Sequence, residues 1–138
     1  MKTTFFILGF IAISAFVKAQ STLHISTDHK QTCYWNDNNS TFDNCGDNEE
    51  FASLFTLNES ETMFTHTTQD IKSSYYVKSK EYKADYDSYM YDVTSDVGNK
   101  YTFIIDMKNK LVKILSSGHT NASDDYLLKF SIKSSWKD

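Results

Sequence analysis

Residues 73–116 read SSYYVKSKEYKADYDSYMYDVTSDVGNKYTFIIDMKNKLVKILS, and this stretch decides the fold class. It holds four runs rich in aromatic and β-branched residues: Ser74–Val77, Tyr89–Val93, Lys100–Ile105 and Leu111–Leu115. Within these runs the large apolar side chains recur at every second position, as at Tyr89, Tyr91 and Val93. A period of two residues is typical of a strand with one buried face. The stretch therefore predicts four consecutive strands.

Short segments with turn-forming residues separate these runs, at Ala84–Asp87, Asp96–Asn99 and Met107–Lys110. Connections this short join antiparallel neighbours and leave no room for the crossovers that parallel strands need. Similar runs lie on both sides of the stretch, at 23–26, 31–35, 51–57, 62–67 and 126–132. One brief helical turn, capped by Thr68, is predicted within residues 68–74. We predict an all-β fold: a small antiparallel up-and-down meander of about eight strands, closing as a barrel or a two-layer sandwich.

The first nineteen residues have the layout of a secretory signal peptide. Lys2 is followed by an apolar run from Thr3 to Val17, and small residues at Val17 and Ala19 suit cleavage before Gln20. The run is shorter than the roughly 20 residues that span a bilayer, which disfavours a membrane anchor. We therefore predict a signal peptide at 1–19 and a single β domain at 20–138, secreted or periplasmic, with no membrane span in the mature chain.

The charge composition argues against nucleic-acid binding. The chain has 14 basic residues, all of them lysine, and 18 acidic residues. Removal of Lys2 and Lys18 with the signal peptide changes the formal net charge from −4 to −6. A chain without net positive charge, and without the guanidinium groups that grip phosphates, is a poor nucleic-acid binder.

Two cysteines, Cys33 and Cys45, are the clearest local constraint. In a chain with a signal peptide they most simply form one disulfide. The alternative is a metal or redox pair, but the eleven intervening residues fit neither Cys-x-x-Cys chemistry nor a zinc knuckle. We predict the disulfide.

The segment Asn36–Glu50 reads as a polar loop held by that disulfide. Its oxygen-bearing side chains make calcium the cofactor to consider, with candidate ligands Asp37, Asn39, Asp43, Asp47 and Glu49. The spacing departs from the EF-hand pattern, because Thr41 and Phe42 stand where an oxygen ligand and then glycine belong. A solvated acidic loop is the alternative interpretation, and no other cofactor is predicted.

Tyrosines supply the candidate ligand-binding residues. Tyr75, Tyr76, Tyr89 and Tyr91 lie in predicted strands, where exposed rings stack on sugars or peptides and buried rings fill a core. Because Tyr75 and Tyr76 are adjacent, they must point to opposite faces of their strand.

No motif assigns a catalytic residue. The four histidines, His24, His29, His66 and His119, have no second ligand at metal spacing, and no Gly-x-Ser-x-Gly elbow is present. The sequence favours a secreted non-enzymatic β domain that binds a small ligand, a glycan or an extracytoplasmic protein. The alternatives are a small secreted hydrolase whose site assembles in space, and a purely structural interaction module.

Overall fold

The computed structural model describes residues 21–138, and the predicted signal peptide lies outside them. The described residues form nine strands: β1 (Leu23–Asn36), β2 (Thr41–Cys45), β3 (Glu49–Leu57), β4 (Met63–Thr67), β5 (Lys72–Lys83), β6 (Ser88–Ser95), β7 (Lys100–Asp106), β8 (Leu111–Ser116) and β9 (Tyr126–Lys137). Each strand after β3 pairs antiparallel with the one before it, and β1 pairs with β3 on one side and β9 on the other. Eight strands thus close into a barrel, with β2 as an extra strand beside β1. The predicted fold class is confirmed, and the closed form is the barrel.

The middle of the barrel is filled by phenylalanine rings. Phe55, Phe64, Phe103 and Phe130 are each at most 1% exposed, because alternation along their strands turns them inward. Phe55 meets Phe130 edge-on at 5.1 Å between ring centroids, and Phe64 lies 5.0 Å from Phe103. Each such ring contributes about 1.5–3 kcal/mol on burial. An eight-stranded barrel is just wide enough for this packing.

Strand β1 is longer than the sequence predicts. The sequence suggests two short strands at 23–26 and 31–35, but one bulged strand runs through both. The register shifts between Thr27 and His29 against both neighbours: against β9 the extra residue is Asp28, and against β3 the extra residue lies on β3, between Glu50 and Ser53. Because a bulge breaks the two-residue alternation without ending the pairing, the pattern looked interrupted where the backbone is continuous.

The Asn36–Glu50 segment is not simply a loop. It turns at residues 37–40 and returns as β2, with Cys33 opposite Cys45 in the register. The predicted disulfide is confirmed, with a sulfur–sulfur distance of 2.03 Å. Trp35 packs edge-on against Phe42 at 5.1 Å, so aromatic contact supports the hairpin next to the disulfide.

The helical turn expected at 68–74 is wrong. The Thr68 hydroxyl oxygen accepts the backbone N–H of Ile71 at 3.1 Å, which closes a turn that leads directly into β5. Short 3-10 turns occur instead at Ala84–Tyr86 and Ala122–Asp124. Within residues 21–138 we find no helix with the length and apolar character needed to cross a membrane.

Candidate functional site

One end of the barrel opens into a cavity of about 460 Å³, which we call the Tyr91 mouth. Its walls are inward-facing apolar and aromatic side chains from β1, β6, β7 and β9: Leu23, Ile25, Tyr89, Tyr91, Ile105 and Ile132. Its rim carries polar, charged and large side chains: Glu61, Lys80, Met107, Ser135, Trp136 and Lys137. Cavities of about 300–1,000 Å³ with apolar walls and few polar groups are typical of small-molecule sites.

The Tyr91 mouth is closed at its inner end. Tyr91, which is 2% exposed, meets Phe64 edge-on at 4.9 Å, and Phe64 in turn packs on Phe103. These rings belong to the filled middle of the barrel and close the inner end of the cavity. A molecule that enters can therefore bury its apolar part but cannot pass through.

Strand lengths place charged groups at the rim. β4 pairs with β5 only between Lys72 and Tyr76, so the later part of β5 extends past β4 and pairs with β6 alone. Lys80 lies in this extension, opposite Tyr91 in the register. Its ammonium reaches the β3–β4 turn, where Nζ donates to both carboxylate oxygens of Glu61 at 2.8 Å.

The Lys80 ammonium also lies over two aromatic rings. Its Nζ is 5.4 Å from the Tyr89 ring centroid and 5.7 Å from that of Tyr91. Cations within about 6 Å of a ring face are attracted by the ring quadrupole. Burial raises the pKa of the Tyr91 hydroxyl, and the charge of Glu61 raises it further, so this phenol stays protonated and able to donate a hydrogen bond.

A half-buried histidine, His66, lies within the barrel, outside the mouth. The ring of His66 stacks on Phe55 at 4.1 Å and meets Phe130 at 5.2 Å. Among the described residues, its Nε2 is the one buried side-chain nitrogen or oxygen without a hydrogen-bond partner. Burial lowers the pKa of His66 to about 4, with a further contribution from the Lys30 ammonium. At neutral pH the imidazole is uncharged.

The four candidate tyrosines separate into three environments. Tyr89 and Tyr91 line the mouth, whereas Tyr75 packs inside against Phe103 at 4.8 Å between ring centroids. Tyr76 points outward and is 50% exposed, so the predicted opposite facing of Tyr75 and Tyr76 is found. The structure thus brings one pair of candidates to a shared cavity.

The calcium candidates remain a prediction. In the β1–β2 hairpin Asp37 accepts the Trp35 indole N–H at 2.8 Å, and Asp43 accepts the Asn39 amide at 2.7 Å. Asp47 precedes β3, and Glu49 lies opposite Lys30 in the register. Among residues 21–138 no group of three or more histidine, cysteine or acidic side chains is arranged to hold a metal ion.

A histidine–carboxylate pair lies at the other end of the molecule. His119 Nδ1 is 2.7 Å from Asp125 Oδ1 and shares a shallow hollow with Ser116 and Ser117. A nucleophile–base pair needs a serine hydroxyl within hydrogen-bond reach of the imidazole. No hydrogen bond joins His119 to a serine in the described part of the chain, so this pair alone does not build a hydrolase site.

Several residues of the mouth were not identified from the sequence: Leu23, Ile25, Glu61, Lys80, Ile105, Ile132 and Trp136. Lys80 offered one signal, because a lysine two residues from Tyr82 in an alternating strand shares that residue's face. The convergence of β1, β6, β7 and β9 at one end depends on closure of the barrel, which no local pattern encodes.

No family model matches this chain, and neither the curated proteins nor the solved structures contain a significant match.

Proposed function

We propose that this protein is a non-enzymatic binding protein that holds one small ligand in the Tyr91 mouth. The observation that carries the proposal is a blind cavity of about 460 Å³ with apolar walls and a polar rim at the end of a closed barrel. An eight-stranded barrel either fills its interior or holds one small ligand. This barrel does both, since its middle is packed and one end is open.

The shape of the site favours a small molecule over a glycan or a protein partner. Tyr89 and Tyr91 lie inside the mouth, where they reach a molecule that enters it, and are not displayed on a flat face. Concave apolar sites with a few convergent polar groups are typical of small-ligand binding, whereas protein partners usually need a larger surface.

An extracytoplasmic location is part of the proposal. The Cys33–Cys45 disulfide fits an oxidising compartment. The apolar segment with the layout of a signal peptide, at 1–19, supports export of the domain. A binding protein outside the cytoplasm would meet its ligand in the surrounding fluid.

Titration with the neutral fluorescent probe N-phenyl-naphthylamine tests the proposal. We expect saturable binding of one probe molecule per chain, with increased probe fluorescence because the probe enters an apolar cavity. Ile132→Trp places a larger side chain in the wall and should weaken binding about tenfold or more. The matched control is Leu127→Trp on the same strand, at an outward-facing position that does not line the mouth.

Circular dichroism should show that both variants keep the barrel. Absence of saturable binding by the wild-type protein, or equal binding by the two tryptophan variants, would contradict the proposal.

A further inference from the structure

We propose that the ligand of the Tyr91 mouth is an amphiphile with an anionic head group such as a carboxylate. Its apolar body would pack inside the mouth, and Lys80 and Lys137 would hold the head group at the rim. This inference rests on the proposed function, because it assigns the ligand class of that same cavity.

The charges that line the mouth are unequal in number. The charged residues that line the cavity are two lysines, Lys80 and Lys137, and one acid, Glu61. The nearby Asp138 side chain does not line the cavity and instead accepts a hydrogen bond from His24 Nε2 at 2.7 Å. The rim therefore carries an excess of positive charge, which attracts an anion to the opening of a cavity with low-dielectric walls.

Lys80 retains capacity for a second anionic partner. An ammonium has three N–H donors, and the contacts to Glu61 occupy two of them. Both side chains are well exposed, at 36% for Lys80 and 45% for Glu61, and exposed pairs of this kind contribute little to stability. The ion pair can thus rearrange so that Lys80 also binds a carboxylate that enters the mouth.

The same geometry disfavours a cationic ligand. The position over the Tyr89 and Tyr91 rings, beside the Glu61 carboxylate, is already occupied by the Lys80 ammonium. A ligand ammonium would have to displace Lys80 and would then lie close to a like charge. A carboxylate would instead be attracted to the Lys80 ammonium where it already lies, and Tyr91, whose hydroxyl is protonated, lines the same cavity.

Three probes with the same alkyl chain test this inference: decanoate, decanol and decylammonium, each used to displace N-phenyl-naphthylamine at pH 7 and low salt. We expect decanoate to bind about tenfold more tightly than decanol, a typical gain for one charge-assisted hydrogen bond, and decylammonium to bind most weakly. Added salt should reduce the preference for decanoate, because the rim charges are exposed.

Substitutions at the rim locate the effect. Lys80→Met should weaken decanoate binding about tenfold and so abolish the preference for decanoate over decanol. Glu61→Gln should strengthen decanoate binding, because it removes the competing carboxylate. The matched control is Lys83→Met: Lys83 forms a similar ion pair with Glu81 at 2.7 Å but lies outside the mouth.

The outcomes separate the two proposals. If decanoate and decanol displace the probe equally, or if decylammonium binds best, the anionic head group is wrong and the cavity is still a binding site. If Lys83→Met weakens decanoate binding as much as Lys80→Met does, the proposal that the rim of the mouth binds the anionic head group is wrong. If none of the three compounds displaces a probe that binds saturably, the amphiphile class is wrong, whereas a probe that does not bind saturably contradicts the proposed function itself.

Discussion

At the scale of single residues, His66 shows how this core handles a polar group. Its imidazole stacks on Phe55 and leaves Nε2 without a partner, which is tolerated only while the ring is neutral. The charged group that faces it is the Lys30 ammonium, whose like charge opposes protonation further. The residue is therefore a local source of acid sensitivity in the barrel.

The pH dependence follows from the direction of this pKa change. In the unfolded chain the pKa of His66 is near 6.5, and in the barrel it is about 4. Between these values the unfolded state binds more protons, so stability is full above about pH 6.5 and is lost as the pH falls toward 4. We expect the loss from this residue to be roughly 2–3 kcal/mol.

His66→Phe removes the titrating group and keeps a ring against Phe55. The free energy of unfolding, measured by chemical denaturation from pH 7 to pH 4, should fall less steeply for this variant than for the wild type. The control His119→Phe changes an exposed histidine. Its free energy of unfolding should fall with decreasing pH about as steeply as that of the wild type. Parallel curves for wild type and His66→Phe would show that the His66 imidazole does not control acid stability.

The turns show a second residue-scale feature. Glu61, Asp87 and Lys110 have φ values of 55°, 46° and 53°, in the left-handed region that favours glycine. Asp106, before the β7–β8 turn, is 3% exposed. Its burial alone would raise its pKa, but hydrogen bonds from Asn109 and Lys113 outweigh that effect and hold the pKa below its usual value. Side-chain hydrogen bonds thus help to define a turn that contains no glycine.

At the scale of elements, β9 defines the register that closes the barrel. It pairs with β8 through Phe130 opposite Val112 and with β1 through Phe130 opposite Lys30. Phe130 is 1% exposed, whereas Lys129 faces outward opposite Lys113. A register slip by one residue would exchange these faces.

Truncation at the two positions tests that register. Phe130→Ala should lower the free energy of unfolding by about 3–5 kcal/mol, through lost transfer energy and the cavity that remains. Lys129→Ala should change it by less than about 0.5 kcal/mol, because an outward-facing lysine makes no core contact. Denaturation midpoints of both variants provide the measurement, and equal losses would mean that the assignment of faces along β9 is wrong.

At the scale of the whole molecule, the disulfide lies outside the closed barrel. It joins β1 to β2, and β2 is the one described strand that the barrel does not need for closure. β1 still pairs with β9 up to Tyr34 opposite Tyr126, so the far half of β1 has a second partner. The disulfide therefore holds β2 against β1 and restricts the conformational freedom of the unfolded chain. Closure of the barrel depends on the pairing of β1 with β9.

Replacement of both cysteines by alanine tests this division. The Cys33→Ala/Cys45→Ala double variant should lose roughly 3 kcal/mol of stability, as expected for a loop of this length. Its far-ultraviolet and near-ultraviolet circular dichroism should stay close to that of the wild type, and hydrogen exchange should become faster mainly in β2. Loss of the near-ultraviolet signal would indicate that the disulfide holds the barrel itself.

The sequence by itself determined the elements of this protein that depend on local pattern. Alternation of side chains predicted the strands from Ser74 to Leu115, short polar segments predicted the hairpins, and two cysteines predicted one disulfide. It also selected Tyr89 and Tyr91 among its candidate residues. These features depend on neighbours along the chain, so they can be read without a tertiary structure.

Only the tertiary structure decided where the sheet closes and what its open end contains. Pairing of β1 with β9 joins residues 92 to 114 positions apart, and it brings Leu23 and Ile132 to one cavity. The extension of β5 past β4 then places Lys80 at that end. No local sequence pattern specifies that these residues converge at one end of the barrel. Their convergence depends on long-range packing and on the shear of a closed barrel.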